Sequence, residues 1–421
     1  MIKFLHAADI HLDSPLVGLE RYDGAPVEEV RGATRRALVN LVDLALAEEV
    51  AFVLVAGDLY DGDWRDYNTG LFLARHMGRL REAGIPVFII RGNHDAASQI
   101  TRQLRSPDNV RWLQEQGPET VLLESIGVAI HGQSFASREV TEDMSAAYPD
   151  AVPGLFNIGL LHTSVNGREG HEPYAPCSLQ GLLSRGYQYW ALGHVHKYEV
   201  LHDDPWVVFP GNTQGRHARE TGPKGCTLVT VEDGMVVSAK RRYLDVMRWC
   251  VCQVDATGAA TGEEVIDRVA GALQRELDGS EGRALAVRVQ VLGPCQAHGD
   301  LSADPERWTN EIRAAATELS SGAMWVEKVQ LGTQTVVDLA SVMEQDSALG
   351  GLLRTIGGLE ADDDLLASLK EEFADLRRKL PVELRAGDES IELEDPGTLH
   401  GVMEEVRQML LARILAGGGG A

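Results

Sequence analysis

Five segments in the first half of the chain are built alike: "IKFLHAADIH", "VAFVLVAGDLYD", "IPVFIIRGNHD", "FNIGLLHTS" and "YQYWALGHVH". Each is dominated by apolar residues without the polar alternation of a half-exposed strand, so each reads as a strand buried on both faces. Each also closes on Asp, Asn or His. Helical patterns, "RGATRRALVNLVDLALAEE" and "NTGLFLARHMGRLREAG", separate the first three. Strands alternating with helices predict an α/β sheet covered by helices. In such sheets functional groups collect past the carboxyl ends of the strands, where all five polar clusters fall.

The residue types at those ends point to metal chemistry. Asp9 and His11 are two apart, as are His194 and His196, and on an extended strand such pairs point to one side. Asp58, Asn93 and His162 complete a set of oxygen and nitrogen donors with no cysteine. That set favours Mn²⁺, Mg²⁺, Fe or Zn²⁺ and leans towards Mn²⁺. The glycines before Asp58, Asn93 and His194 are expected to let the backbone turn sharply out of the sheet. Asp58 is the natural bridge, since one carboxylate can bind two cations. One metal would then take Asp9, His11, Asp58 and His196, and the other Asp58, Asn93, His162 and His194. Two divalent ions lower the pKa of a shared water and clamp phosphorus between attacking and leaving oxygens. His94 is surplus to that set and can protonate the leaving oxygen, with Asp95 expected to orient its ring. Arg216 and His217, in "FPGNTQGRHARE", are expected to touch substrate phosphate. Trp64 and Tyr67 could stack on a base. His6 and His131 read as core residues, His76 as a surface residue and His298 as a solvated loop residue.

Bulk properties bound the partners. The net charge of −24 argues against a whole-surface grip on nucleic acid, but bound cations can reverse the field locally. Five cysteines without a CxxC pair predict reduced thiols and a cytoplasmic protein. No apolar run approaches the ~18 residues of a membrane span, and "MIKFLHAADIHLD" does not read as a signal peptide. The 421 residues are enough for two or three domains. We expect one over 1–245, a small α/β module over 246–335 and a helical, partner-docking segment over 336–421 that ends in a flexible Gly-rich stretch. In the module, "RWCVCQVDA", "RALAVRVQVLG" and "MWVEKVQLG" read as strands, with helices at "GEEVIDRVAGALQREL" and "DPERWTNEIRAAATEL". Thr261 and Glu264 form a capping box for the first helix.

The order D-x-H, GD, GNHD, H, GHxH resembles the calcineurin-like metallophosphoesterase superfamily. Within it, "FLHAADIHLDSPL", "AGDLYD", "RGNHD" and "PGNTQGRH" resemble the SbcD branch of DNA-repair nucleases and its YhaO-like members. The resemblance implies a two-sheet αββα sandwich followed by a capping domain, and two metals, Mn²⁺ foremost. It implies DNA as substrate, cut as an exonuclease or single-strand endonuclease. It also implies an SbcC- or YhaN-like coiled-coil ATPase as partner, and a homodimer. Some relatives carry a second histidine three residues after the GD aspartate; this chain has Asp61 there, which leaves the exonuclease and endonuclease balance open. A cyclic-nucleotide phosphodiesterase and a metal-bearing scaffold are the alternatives. A Ser/Thr phosphatase fits less well, because that branch resembles GDxxDRG and GNHE.

Residues 338–421 hold 8 basic and 18 acidic residues, so this segment cannot be the main grip on DNA phosphates. Its apolar stripes, Leu365, Leu369, Phe373, Leu376 and Leu380, then Val402, Val406, Met409 and Leu410, suit helix-in-groove docking on the ATPase. Truncation near Val337 should spare cleavage of short single strands and abolish ATPase capture in a pull-down. Undiminished capture, or an unfolded product, would end the docking idea.

Overall fold

A computed structural model describes residues 1–14, 27–61, 67–97, 106–165, 175–336 and 351. The chain divides into two compact units. One comprises 1–251, 277–288 and 323–327; the other comprises 252–276, 289–322 and the residues from 328 onward.

Two six-stranded sheets build the first unit. One contains β1 (Ile2–Ala7), β2 (Phe52–Ala56), β3 (Val87–Ile90) and β4 (Val110–Trp112), side by side and parallel. The other is β5 (Glu119–Leu123), β6 (Val128–Gly132), β7 (Phe156–His162), β8 (Tyr189–Gly193), then β10 (Trp206–Phe209) and β9 (Glu199–Asp203) at the far edge. β11 (Gly225–Glu232) returns to the first sheet antiparallel to β1, and β12 (Met235–Tyr243) forms its edge.

The doubly buried strands divide their side chains between two cores. Leu5, Val53, Val55, Val87 and Ile89 pack with Leu38, Leu41, Leu73 and Leu80 from the helices Val27–Ala47 and Tyr67–Glu82. Their alternate neighbours Phe4, Phe52, Leu54, Phe88 and Ile90 meet Ile130, Ile158, Leu160 and Tyr189 of the second sheet. The doubly buried strands are those the continuous apolar runs predict, and the two-sheet sandwich they form is the one the resemblance implies. The outer face of the second sheet is covered by a cluster around Trp190, Leu161, Tyr148 and Leu182, the last on the short helix Leu179–Leu183.

β13 (Met247–Asp255), β14 (Ala284–Pro294) and β15 (Met324–Gln334) form a third sheet, with helices Gly262–Asp278 and Pro305–Ser320 in the intervening sequence. Half of the capping box is present: Thr261 Oγ1 accepts from Glu264 N at 3.3 Å, whereas Glu264 accepts from the N–H of Ala260, one residue before the cap, at 2.9 Å. Two histidine expectations fail. His298 opens the helix His298–Ala303, buried and bonded to Thr333 Oγ1 at 3.0 Å, so it is no loop residue. His76 is buried beside Phe72. All five cysteines are free thiols. Among the described residues no helix is long and apolar enough to cross a membrane. The C-terminal helical stripes and Trp64 lie outside the described residues, as does the Tyr67 side chain.

Phe4 stacks on Phe52 at 4.9 Å and meets the Tyr189 edge at 5.3 Å, which joins the two sheets. Phe4→Ala should therefore lower unfolding free energy by about 3–5 kcal/mol. Denaturant titration would check this, and a loss under ~1 kcal/mol would show that the seam repacks.

Candidate metal centre

The ligand-type residues converge at the seam of the two sheets: His162 ends β7, Asn93 opens the short helix Asn93–Ala97 after β3, and the others lie on loops just past β1, β2 and β8. The backbone there is unusual. Asp9, His11 and Asp58 have φ of 51°, 45° and 51°, and His194 has 102°, left-handed values that are uncommon for residues with a Cβ. Backbone bonds tie the first two loops together, Asp9 N to Gly57 O and His11 N to Asp58 O, each at 3.0 Å.

Of the three glycines expected to turn the chain, only Gly57 has positive φ, at 89°. Gly92 and Gly193 are needed for room instead. A Cβ on Gly92 would lie 2.2 Å from Asp58 Oδ1 and 2.8 Å from His162 Nε2, and one on Gly193 would lie 1.8 Å from Ala56 O.

Three overlapping groups can each hold an ion: Asp9, His11 and His196; His11, Asp58 and His94; Asp9, Asp58 and His162. Asp58 Oδ2 lies 3.5 Å from His162 Nε2 and 3.9 Å from His11 Nε2, central to the set. Asn93 Oδ1 is 3.0 Å from His162 Nε2. The His194 ring is 5.2 Å from that of His162, and its backbone N–H donates to both oxygens of Asp9 at 3.1 Å.

The donor chemistry fits divalent cations. Two ring nitrogens, His11 Nε2 and His196 Nε2, face each other across 3.3 Å. His11 Nδ1 is buried, faces Asp61 Oδ1 at 3.6 Å and has no closer hydrogen-bond partner among the described residues. Asp9 and Asp58 are buried together; burial, then the charge of Asp58, pushes the Asp9 carboxyl well up. A cation between them relieves that repulsion. Asp58 itself is held down at about 2, because His162, His94 and His11 outweigh its burial. Burial lowers His11, His162 and His196, the last to about 3, and neutral imidazole is the ligating form. His162 Nδ1 bonds Ala56 O at 2.9 Å and His196 Nδ1 bonds Glu220 Oε1 at 2.7 Å. Each leaves Nε2 with its lone pair toward the site.

His94 differs from these. Burial pulls it down, but Asp61 and then Asp58 more than compensate, and its pKa is raised. Its Nδ1 lies 2.7 Å from Asp61 Oδ1, and its side chain is 31% exposed, so the ring still reaches the cleft.

Asp95 does not orient His94, contrary to expectation. Its carboxylate accepts from the backbone N–H groups of Leu59, Tyr60 and Gly92 at 2.9 to 3.2 Å. It therefore clips the Asp58 loop to the Asn93 loop. Asp61 takes the place beside His94, and Ser14 Oγ donates to it.

Glu220, four residues after Arg216, was not anticipated. It is buried and holds His196, Arg216 Nη2 at 2.9 Å and Asn212 Nδ2 at 2.8 Å. The spacing in "RHARE" is its only signal in the sequence. Arg216 is largely enclosed, with Nη1 3.7 Å from Asp61 Oδ2. His217 is more open, with Nε2 3.5 Å from Glu220 Oε1. His6 and His131 sit in the core, bonded to Tyr189 and Asn157 respectively.

Residues 2–198 match the calcineurin-like phosphoesterase family. They are a calcineurin-like phosphoesterase domain. Residues 249–334 match the middle domain of the metallophosphoesterase YhaO. The chain is 39% identical over 262 residues to the "Uncharacterized metallophosphoesterase YhaO" of Bacillus subtilis, covering 61% of this chain and 64% of that protein. It is 26% identical over 215 residues to the "DNA double-strand break repair protein Mre11" of Saccharolobus solfataricus, 49% of this chain and 53% of that one. The chain thus spans less than two thirds of these relatives. A solved dimetal phosphatase from Danio rerio is 13% identical over 55% of this chain, with a TM-score of 0.34, too slight a likeness to argue from. The phosphoesterase family is the one the five motifs resemble.

Gly92→Ala should preserve the fold and weaken metal binding at least tenfold, because the methyl would occupy the space beside Asp58. Equilibrium dialysis with Mn²⁺ would measure it. Unchanged binding would mean that the loop shifts freely.

Proposed function

We propose that this phosphoesterase is a Mn²⁺-dependent nuclease that hydrolyses DNA phosphodiester bonds. We assign it exonuclease or single-strand endonuclease activity in repair, beside a coiled-coil ATPase of the SMC type. The observation that carries the chemistry is a donor cluster for two cations with a further histidine, His94, held at its edge by Asp61. The likeness to proteins named for DNA break repair supports DNA as the substrate.

In this reading Asp9, His11, Asp58 and His196 hold one ion, and Asp58, Asn93, His162 and His194 the other. Bound divalent ions supply a nucleophile at neutral pH and counter-charge for the phosphoryl group. The remaining work falls to the chain. Asp61 holds the Nδ1–H of His94, so the ring presents Nε2 to the leaving oxygen and donates its proton there. Glu220 fixes the tautomer of His196 and holds Arg216 in the wall next to Asp61. Arg216 so placed limits how much negative charge Asp61 adds to a cleft that must receive phosphate. His217, the more open of the pair, meets the substrate backbone.

Assays on linear duplex, single strands, cyclic nucleotides and phosphopeptides with Mn²⁺ would test the substrate. Turnover of cyclic nucleotides alone would replace the nuclease reading. Asp58→Ala should lose both ions by elemental analysis, and a folded variant retaining two would refute the bridge. His94→Ala should lower kcat roughly 10²-fold at unchanged metal content; loss of a metal would instead make His94 a ligand.

A further inference from the structure

The acidic chain carries an arginine cluster whose centre is an exposed tyrosine. Tyr243, at the end of edge strand β12, is 46% exposed. The guanidinium carbons of Arg241, Arg248 and Arg283 lie 5.4, 5.4 and 6.0 Å from its ring centroid. Arg241 also lies over the Tyr198 ring at 5.0 Å, so one guanidinium bridges two aromatic rings. Asp245, buried, binds Arg248 at 2.8 Å and Arg283 at 3.0 Å, and Glu281 binds both from outside. Among the described residues Arg241 has no carboxylate ion pair, and its buried Nε has no hydrogen-bond partner.

This cluster is continuous with the metal centre. Tyr198 follows His196 by two residues, and Lys224 Nζ donates to the His196 carbonyl at 3.0 Å. Arg241 donates to the carbonyl of Pro223, the residue before Lys224. A line of cations and aromatic faces therefore runs from the catalytic loop to the sheet edge. Four cations, Lys224 and Arg248 buried and Arg241 and Arg283 partly exposed, lie along it against three carboxylates, Asp245, Glu281 and Glu220. A half-exposed ring offers its uncovered part to a nucleobase, and the partly exposed Arg241 and Arg283 beside it can meet the neighbouring phosphates. A duplex keeps its bases stacked inside and offers none to such a ring.

We propose that Tyr243, with Arg241, Arg248 and Arg283, is a landing track for a single-stranded nucleic acid, one base stacking on Tyr243 while the strand leads along Tyr198 to the metal centre. The proposal rests on the nuclease reading above for its destination, and binding can be measured apart from cleavage.

The probe is a fluorescein-labelled oligo-dT of about 15 nucleotides, within the site sizes of single-strand binders. It carries phosphorothioate linkages to resist cleavage and is titrated by anisotropy against the full chain in Mn²⁺. Tyr243→Ala should weaken binding roughly tenfold, and Tyr243→Phe, which keeps the ring, should bind like the parent. Hydrolysis of bis-p-nitrophenyl phosphate with Mn²⁺ should be equal in all three proteins, which verifies fold and metal site. Equal binding by Tyr243→Ala, or tighter binding of a blunt duplex of equal length, would overturn the track. Oligo-dT binding that depends on Tyr243 in a protein that cleaves no DNA would leave the track standing and remove the nuclease reading.

Discussion

Two buried carboxylates, Asp9 and Asp58, within reach of one nitrogen of His162 are the constraint around which this unit is arranged. Their mutual repulsion in a desolvated site is unfavourable unless positive charge joins them. Much of the surrounding structure serves to hold that arrangement. Left-handed backbone at Asp9, His11 and Asp58 aims the donors inward. Gly92 leaves room for Asp58, and Asp95 ties the second and third loops together through three backbone N–H groups. The stacked seam of Phe4, Phe52 and Tyr189 keeps the two sheets in register beneath it.

The strand-end donors could be read from sequence because two local signals coincide, a doubly buried run and a polar terminus. Both are properties of contiguous residues. The pairings that tune the donors could not be read so. His94 finds Asp61 rather than its neighbour Asp95, because Asp95 is turned under the loop onto backbone donors. His196 finds Glu220, 24 residues away, and only the folding of the segment after β10 brings them together. His298 read as solvated because its neighbours are small and polar, but the turn of a helix carries it onto Thr333. Sequence pattern conveys which face is apolar and says little about which polar side chains share a hydrogen bond.

The partners of His94 and of His196 meet in one guanidinium. Arg216 contacts Asp61 on one side and Glu220 on the other. The proposed acid and a proposed metal ligand thus share a common electrostatic support, and substitutions at Asp61, Arg216 and Glu220 should not act additively. The histidine that some relatives carry at the position of Asp61 would remove one of the two anions that Arg216 serves. A change at position 61 would thus alter chemistry at the leaving group without altering the strand-end donors.

The position of the donors on the two sheets has a consequence of another kind. Asp9, Asp58 and Asn93 follow strands of one sheet, whereas His162, His194 and His196 end or follow strands of the other. Any ion held by both groups is a cross-link between the halves of the sandwich, comparable in effect to a disulfide across a β-sandwich. Ligand that binds only the folded state adds its binding free energy to stability. The same ions that equip the site for hydrolysis would then act as rivets, and metal scarcity would be felt as loss of protein as well as loss of turnover.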